Sequence, residues 1–163
     1  AAGELKDALR SLHPKLMEEA HVLVFTHWRT EPKMRTAICE AGYELRGSLV
    51  WEKNNTGMGD PETTFAPKHE RILHAVKGSP KLFERKPDVL QADRISTERH
   101  PTEKPTALLK QLIECTTVEG EKVADPFGGV ASTLAAAREL GRHAWGAETE
   151  AEYHRIGQNR LKQ

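Results

Sequence analysis

Leucines at positions 5, 9, 12 and 16 recur every three to four residues, as along one face of an α-helix. Pro14 falls inside that run, so a break or kink is expected near His13. His21-Val22-Leu23-Val24-Phe25-Thr26 is a short, β-branched apolar run and reads as a buried strand. Thr30-Glu31-Pro32 opens a second helix through Met34, Ile38 and Ala41, with Gly42 placed to close it in a left-handed cap. Leu49-Val50-Trp51 and Ile72-Leu73-His74-Ala75-Val76 read as the next two strands, the latter closed by Lys77-Gly78.

Residues 79–99 are polar and show no sustained period, so they read as a loop or small excursion beside the sheet. Pro105 opens a helix carrying Leu108, Leu109, Leu112 and Ile113. Val123-Ala124-Asp125 ends a strand, and a glycine turn leads into a helix from Thr133 to Leu140, capped by Gly141. His143 to Glu148 is the last strand, and a helix follows it. Strands alternating with helices predict an α/β fold with a mostly parallel sheet, laid out as a single domain over 1–163.

Composition narrows the function classes only a little. The apolar share is 37% and the charged share 29%, as in an ordinary globular domain. Lys plus Arg equals Asp plus Glu at 24 each, so bulk charge does not mark a nucleic-acid binder, although a local basic patch is compatible with it. Cys39 and Cys115 lie in helical stretches without zinc-like spacing, and are expected to be buried thiols in a reducing cytoplasm. No apolar run approaches a membrane span and no signal-peptide pattern opens the chain, so the expected setting is cytoplasmic, with no membrane partner.

Candidate chemistry concentrates in Asp125-Pro126-Phe127-Gly128-Gly129-Val130-Ala131-Ser132-Thr133. A strand that passes through a small-residue turn into a helix is how α/β folds hold nucleotide-like ligands. The glycines let the backbone approach a ligand, and the helix start offers N–H groups to an anion. Such turns also occur where nothing binds. The GxGxxG pattern is absent, which disfavours a nicotinamide cofactor. Glu148 ends the following strand, where an acid can accept from ribose hydroxyls; alone it would read as a solvated rim residue.

His100-Pro101-Thr102-Glu103-Lys104-Pro105, then Asp125 to Gly129, then Gly146-Ala147-Glu148 resemble three consecutive motifs of the N4-cytosine/N6-adenine DNA methyltransferases. Their order, with the cofactor turn late in the chain, is similar to the beta class of that family. Trp51-Glu52-Lys53-Asn54-Asn55, Gly57-Met58-Gly59 and Pro67-Lys68-His69-Glu70 are similar to the same class. The resemblance implies a Rossmann-like sheet with helices on both faces and S-adenosyl-L-methionine (SAM) as cofactor. It also implies methyl transfer to the exocyclic amine of adenine (N6) or cytosine (N4), in a family associated with restriction-modification.

By that resemblance Asp125, Phe127 and Gly129 lie at the cofactor and Glu148 binds its ribose. Thr102 and Lys104, with Ser132 or Thr133, hold its methionine end. One departure stands out: the family usually has glycine where Ala131 stands and a small polar residue at Val130, a change expected to weaken affinity or shift the turn. On the substrate side the resemblance points to Lys53, Asn54, Asn55 and His69, and to 79–99 as a short target-recognition loop. Lys53, Asn54 and Asn55 suit phosphates and base edges, and equally suit an ordinary polar turn. His69 and His74 stand five apart, which does not suit a shared metal.

The family's Asp/Asn/Ser-Pro-Pro-Tyr/Phe/Trp tetrapeptide, which holds the target amine, does not occur in the sequence, so no catalytic residue is assigned. It is expected shortly before Ala1, on a central strand between those ending at Asp125 and Thr26. Loss of that strand would leave unpaired backbone on both neighbours, so the sequence is expected to be a fragment or a piece of a split gene. Direct pairing of those two strands would overturn this. The expected partners are DNA and either a second copy or a complementing amino-terminal segment. The alternatives are an inactive or partner-dependent SAM- and DNA-binding module, or a methyltransferase for RNA or another substrate on the same fold.

Overall fold

A computed structural model describes residues 1–95 and 103–163, which fall into two compact units. The first comprises Ala1–Lys81 with Pro87–Leu90, the second Leu82–Lys86 with Gln91–Gln163.

In the first unit the elements are α1 (Ala2–Leu12), β1 (Ala20–Thr26), α2 (Glu31–Glu40), β2 (Glu44–Glu52), β3 (His69–Lys77) and the short β4 (Val89–Gln91), which crosses the unit boundary. Pro14 acts as expected: α1 stops and a 3-10 turn covers His13–Lys15. Gly42, at φ +96°, closes α2, and the Tyr43 N–H reaches back to the Ile38 carbonyl at 3.3 Å. Helices α1 and α2 pack through Leu5, Leu9, Ala37 and Ile38 onto Leu73 and Ala75 of β3. Ile38 and Leu73 are wholly buried, and each contributes about 2 kcal/mol by leaving water.

The sheet order is β1-β3-β2-β4, and β1 and β2 are each antiparallel to β3. Here β3 departs from the mostly parallel arrangement that the alternation of strands and helices predicts. Residues 53–68 connect β2 to β3 without a helix, so β3 can return beside β2 antiparallel, whereas parallel neighbours need a crossover. Strands β1 and β2, linked through α2, point the same way with β3 between them. Strand β2 begins five residues earlier than its apolar core predicts, because a bulge between Leu45 and Gly47 carries the polar start into the ladder. Within the excursion, β4 adds to the β2 side, where the Val50 N–H donates to the Asp88 carbonyl at 2.7 Å. Three residues are too short to show a period.

The second unit holds α3 (Thr106–Thr116), β5 (Lys122–Asp125), α4 (Ser132–Glu139), β6 (His143–Gly146) and α5 (Ala151–Leu161). Strands β5 and β6 are parallel, with α4 as their crossover. Helix α4 covers one face of this pair, and α3 and α5 pack against α4. On the strands' other side Lys122, Ala124, His143 and Trp145 are exposed, Trp145 by 55%. The two strands expected to flank the absent one, β1 and β5, are each edge strands of their own sheet. Cys115 is buried as expected, but Cys39 is exposed, because it lies on the side of α2 away from Ile38. Among the described residues no helix is long and apolar enough to cross a membrane.

Candidate cofactor and nucleic-acid sites

The turn between β5 and α4 is held by backbone bonds and by two carboxylates. The Gly128 N–H donates to the Ala147 carbonyl at 2.7 Å, and the Ala147 N–H to the Asp125 carbonyl at 3.1 Å, which extends the β5–β6 pairing into the turn. A side chain at Gly128 would put a Cβ 3.2 Å from the Ala147 carbonyl oxygen, tighter than an ordinary contact, so the close approach favours glycine. Asp125 accepts from the Phe127 N–H at 3.0 Å, which turns the chain, and the Phe127 ring stays half exposed. Gly129 has φ +54° and Ala131 φ +64°, the one left-handed residue other than glycine among those described. The departure from glycine at this position therefore has a physical meaning: alanine occupies a conformation that costs it about 1 kcal/mol.

Glu148 meets this turn directly. One carboxylate oxygen accepts from the Gly129 N–H at 2.8 Å, the other from the Glu150 N–H at 2.8 Å. Burial pushes its pKa upward, but the N–H groups of Glu150, Gly129 and Thr149 outweigh that and hold it below the ordinary value. The carboxylate is thus ionised at neutral pH and set against the turn, with lone pairs left for hydroxyl donors.

Ser132, the first residue of α4, belongs to a buried cluster. Its hydroxyl donates to Glu103 at 3.0 Å and accepts from Arg160 at 3.0 Å, and Arg160 also donates to Glu103 at 2.6 Å. The Glu103 side chain is 2% exposed and that of Arg160 17%. Lys104 and Thr133 are half buried near the starts of α3 and α4, and Thr102 lies outside the described residues. Sequence reasoning passed over Glu103, although it stands inside a quoted motif, and over Arg160, 57 residues away, which has no local signal.

In the first unit, Lys53, Asn54, Asn55 and His69 are gathered at the base of the β2–β3 connection. Asn54, Asn55 and His69 are exposed, whereas Lys53 pairs with Glu70 at 2.8 Å and lies over the Trp51 ring at 4.9 Å. The connection is an ordered arch, closed by Lys53 N–H to Lys68 carbonyl at 2.9 Å and Gly57 N–H to Pro67 carbonyl at 2.6 Å. It holds Met58, of the quoted Gly57-Met58-Gly59, 83% exposed, and Phe65, which no sequence signal marks, fully exposed. His69 and His74 point to opposite faces of β3, as five-residue spacing on a strand requires. His74 instead meets His21, ring nitrogen to ring nitrogen at 2.9 Å. Burial, then the nearby His21 and Arg46, lowers its pKa. Among the described residues no three His, Cys, Asp or Glu gather as metal ligands.

Comparison with known proteins matches residues 3–159 to the DNA methylase family N6_N4_Mtase. A protein of Escherichia coli (strain K12), YubD, described as a methylase, is 35% identical over 158 residues, covering 96% of this chain and 68% of its own length. The type II methyltransferase M2.DpnII of Streptococcus pneumoniae is 30% identical over 77% of this chain, which spans only 54% of that protein. Among solved structures, the M1.HpyAVI–SAM complex superposes with a TM-score of 0.83 at 25% identity, covering 98% of this chain and 83% of that one.

Proposed function

The chain belongs to the N6/N4 DNA methylase family, and from that premise we propose that it serves SAM-dependent methylation of the N6 of adenine or the N4 of cytosine in DNA. The observation that carries this reading is the Glu148 carboxylate bonded to the Gly129 N–H across a strand–turn–helix–strand unit. The residues suit the cofactor. An ionised acid can accept from ribose hydroxyls, a half-exposed Phe127 offers a ring face to adenine, and N–H groups at the start of α4, with Lys104, suit a carboxylate. Asp125 shapes the turn by taking the Phe127 N–H. When bound, SAM supplies an electrophilic methyl group on its sulfonium.

On the substrate side, Lys53, Asn54, Asn55 and His69 face DNA in this proposal, with residues 79–99 contributing to target choice. A DNA substrate also agrees with a cytoplasmic setting. Calorimetric titration with SAM, followed by transfer of labelled methyl to duplex DNA and to RNA, tests the proposal. SAM binding that weakens roughly thirtyfold in Glu148→Ala, with label on DNA, is the expected result; absence of SAM binding by the unaltered chain would overturn it.

A second reading, a module that needs a partner for activity, is favoured by two observations. The 163 residues contain no Asp/Asn/Ser-Pro-Pro-aromatic tetrapeptide, and the β5–β6 face with Trp145 is exposed. In this reading a further segment of the protein or a second copy supplies a strand. Methyl transfer that appears only on adding such a segment, with SAM binding unchanged, separates it from the first.

A further inference from the structure

Helix α5 touches the cofactor turn at two places, although nothing in its sequence marks it as functional. Gly157 is buried against the turn, where an added Cβ would stand 3.1 Å from the Ala131 Cβ and 3.3 Å from the Val130 carbonyl carbon. One turn further on, Arg160 spans three groups, donating to Glu103 at 2.6 Å, to the Ser132 hydroxyl at 3.0 Å and to Thr106 at 3.5 Å. The Ser132 hydroxyl proton is directed to Glu103, which leaves it unable to donate to a ligand carboxylate.

We propose that Arg160, through Glu103 and Ser132, is a positioning residue that fixes the first turn of α4 for the methionine end of SAM, with Gly157 setting the depth of the adjoining turn. This rests on the reading of the second unit as a SAM site. It divides the two hydroxyls at the start of α4: Ser132 acts through the buried cluster, and Thr133, outside that cluster, is the one that faces the ligand. One guanidinium nitrogen, Nη1, donates to both the Glu103 carboxylate and the Ser132 hydroxyl while Nη2 reaches the Thr106 hydroxyl, and a single lysine ammonium does not span those three groups in the same plane. The ribose end, held by Glu148 and Gly129, does not depend on Arg160.

The test compares two ligands on the full chain by calorimetry: SAM, and methylthioadenosine, which keeps the nucleoside but lacks the amino-acid end. Arg160→Lys is expected to weaken SAM on the order of tenfold, as for lost hydrogen bonds near a charged group, and to leave methylthioadenosine within about twofold. Gly157→Ala should weaken SAM in the same direction. If Arg160→Lys does not fold, Ser132→Ala, which leaves the ion pair in place, is read the same way. Variants that bind SAM as the unaltered chain does, or lose both ligands equally, overturn the positioning role while leaving the SAM site standing. An unaltered chain that binds neither ligand overturns the site and the inference together.

Discussion

Each unit contains a buried carboxylate at the approach to a helix, and each is held by arginine. In the first, Glu31 begins α2 and bonds Arg35 at 2.8 Å and Arg71 of β3 at 3.0 Å; its side chain is 8% exposed, but both arginines are more than 40% exposed. In the second, Glu103 stands just before α3 and bonds Arg160, which is 17% exposed. The chemistry is shared and the solvent is not. Glu31 keeps two cations that water also serves, so losing the acid strands neither of them. Arg160 is ion-paired with Glu103 and little exposed, so removing Glu103 leaves a charge largely desolvated. The same pair type pins a helix to a sheet in one place and braces the start of α4 in the other.

The comparison breaks most sharply at Glu103. Glu103→Ala is expected to lower unfolding free energy by about 3 kcal/mol, the range for breaking a buried pair, as read from urea denaturation. A loss below that of the matching Glu31 variant would show that depth does not govern these pairs. The next effect falls on binding: Glu148→Ala should cost about 2 kcal/mol of SAM affinity, roughly thirtyfold in calorimetric Kd. Its fold stability should change less than in Glu103→Ala, because Glu148 is partly solvated.

Glu31→Gln is expected to cost about 1–2 kcal/mol at neutral pH. Burial raises the Glu31 pKa, yet the bonds and charges of Arg35 and Arg71 overcome this and leave it below 4.5. A lowered folded pKa gives stability that is present above the ordinary value and lost as pH falls through the folded one. The gap between the unaltered chain and Glu31→Gln should therefore narrow in urea melts taken progressively below pH 4.5. A gap that widened in acid would contradict the arginine assignment. The smallest effect expected is at Ala131: Ala131→Gly should relieve left-handed strain and raise the melting point by at most about 1 kcal/mol in stability terms. A melting point that falls would mean that the Ala131 side chain packs more favourably than its backbone is strained.

Much of the fold was legible because its signals are local. Pro14 stops α1, Gly42 and Gly141 cap helices in left-handed turns, and short β-branched runs became β1, β3 and β5. The turn proposed to hold the cofactor was legible for the same reason: Asp125 to Ala131 is one contiguous peptide whose glycines and acid act on close neighbours. Less legible was everything set by partners distant in sequence. Glu70 and the Trp51 ring engage Lys53, which the sequence marked only as suited to phosphates or to an ordinary polar turn. The engagement of Ser132 by Glu103 and Arg160 has no local signal either. Phe65 drew no notice because a single apolar residue in a polar loop has no period to betray it.

By itself, then, the order of residues settles the alternation of helices and strands, the turn that passes into α4, and membership of a family whose motifs fall in that order. These follow from steric preferences and spacing within a few residues. Tertiary structure alone decides that β3 runs antiparallel between β1 and β2, that Arg160 lies under Ser132, and that Trp145 stands exposed. Strand direction depends on which connections carry a helix, and burial depends on groups brought together from distant positions, which no local pattern encodes.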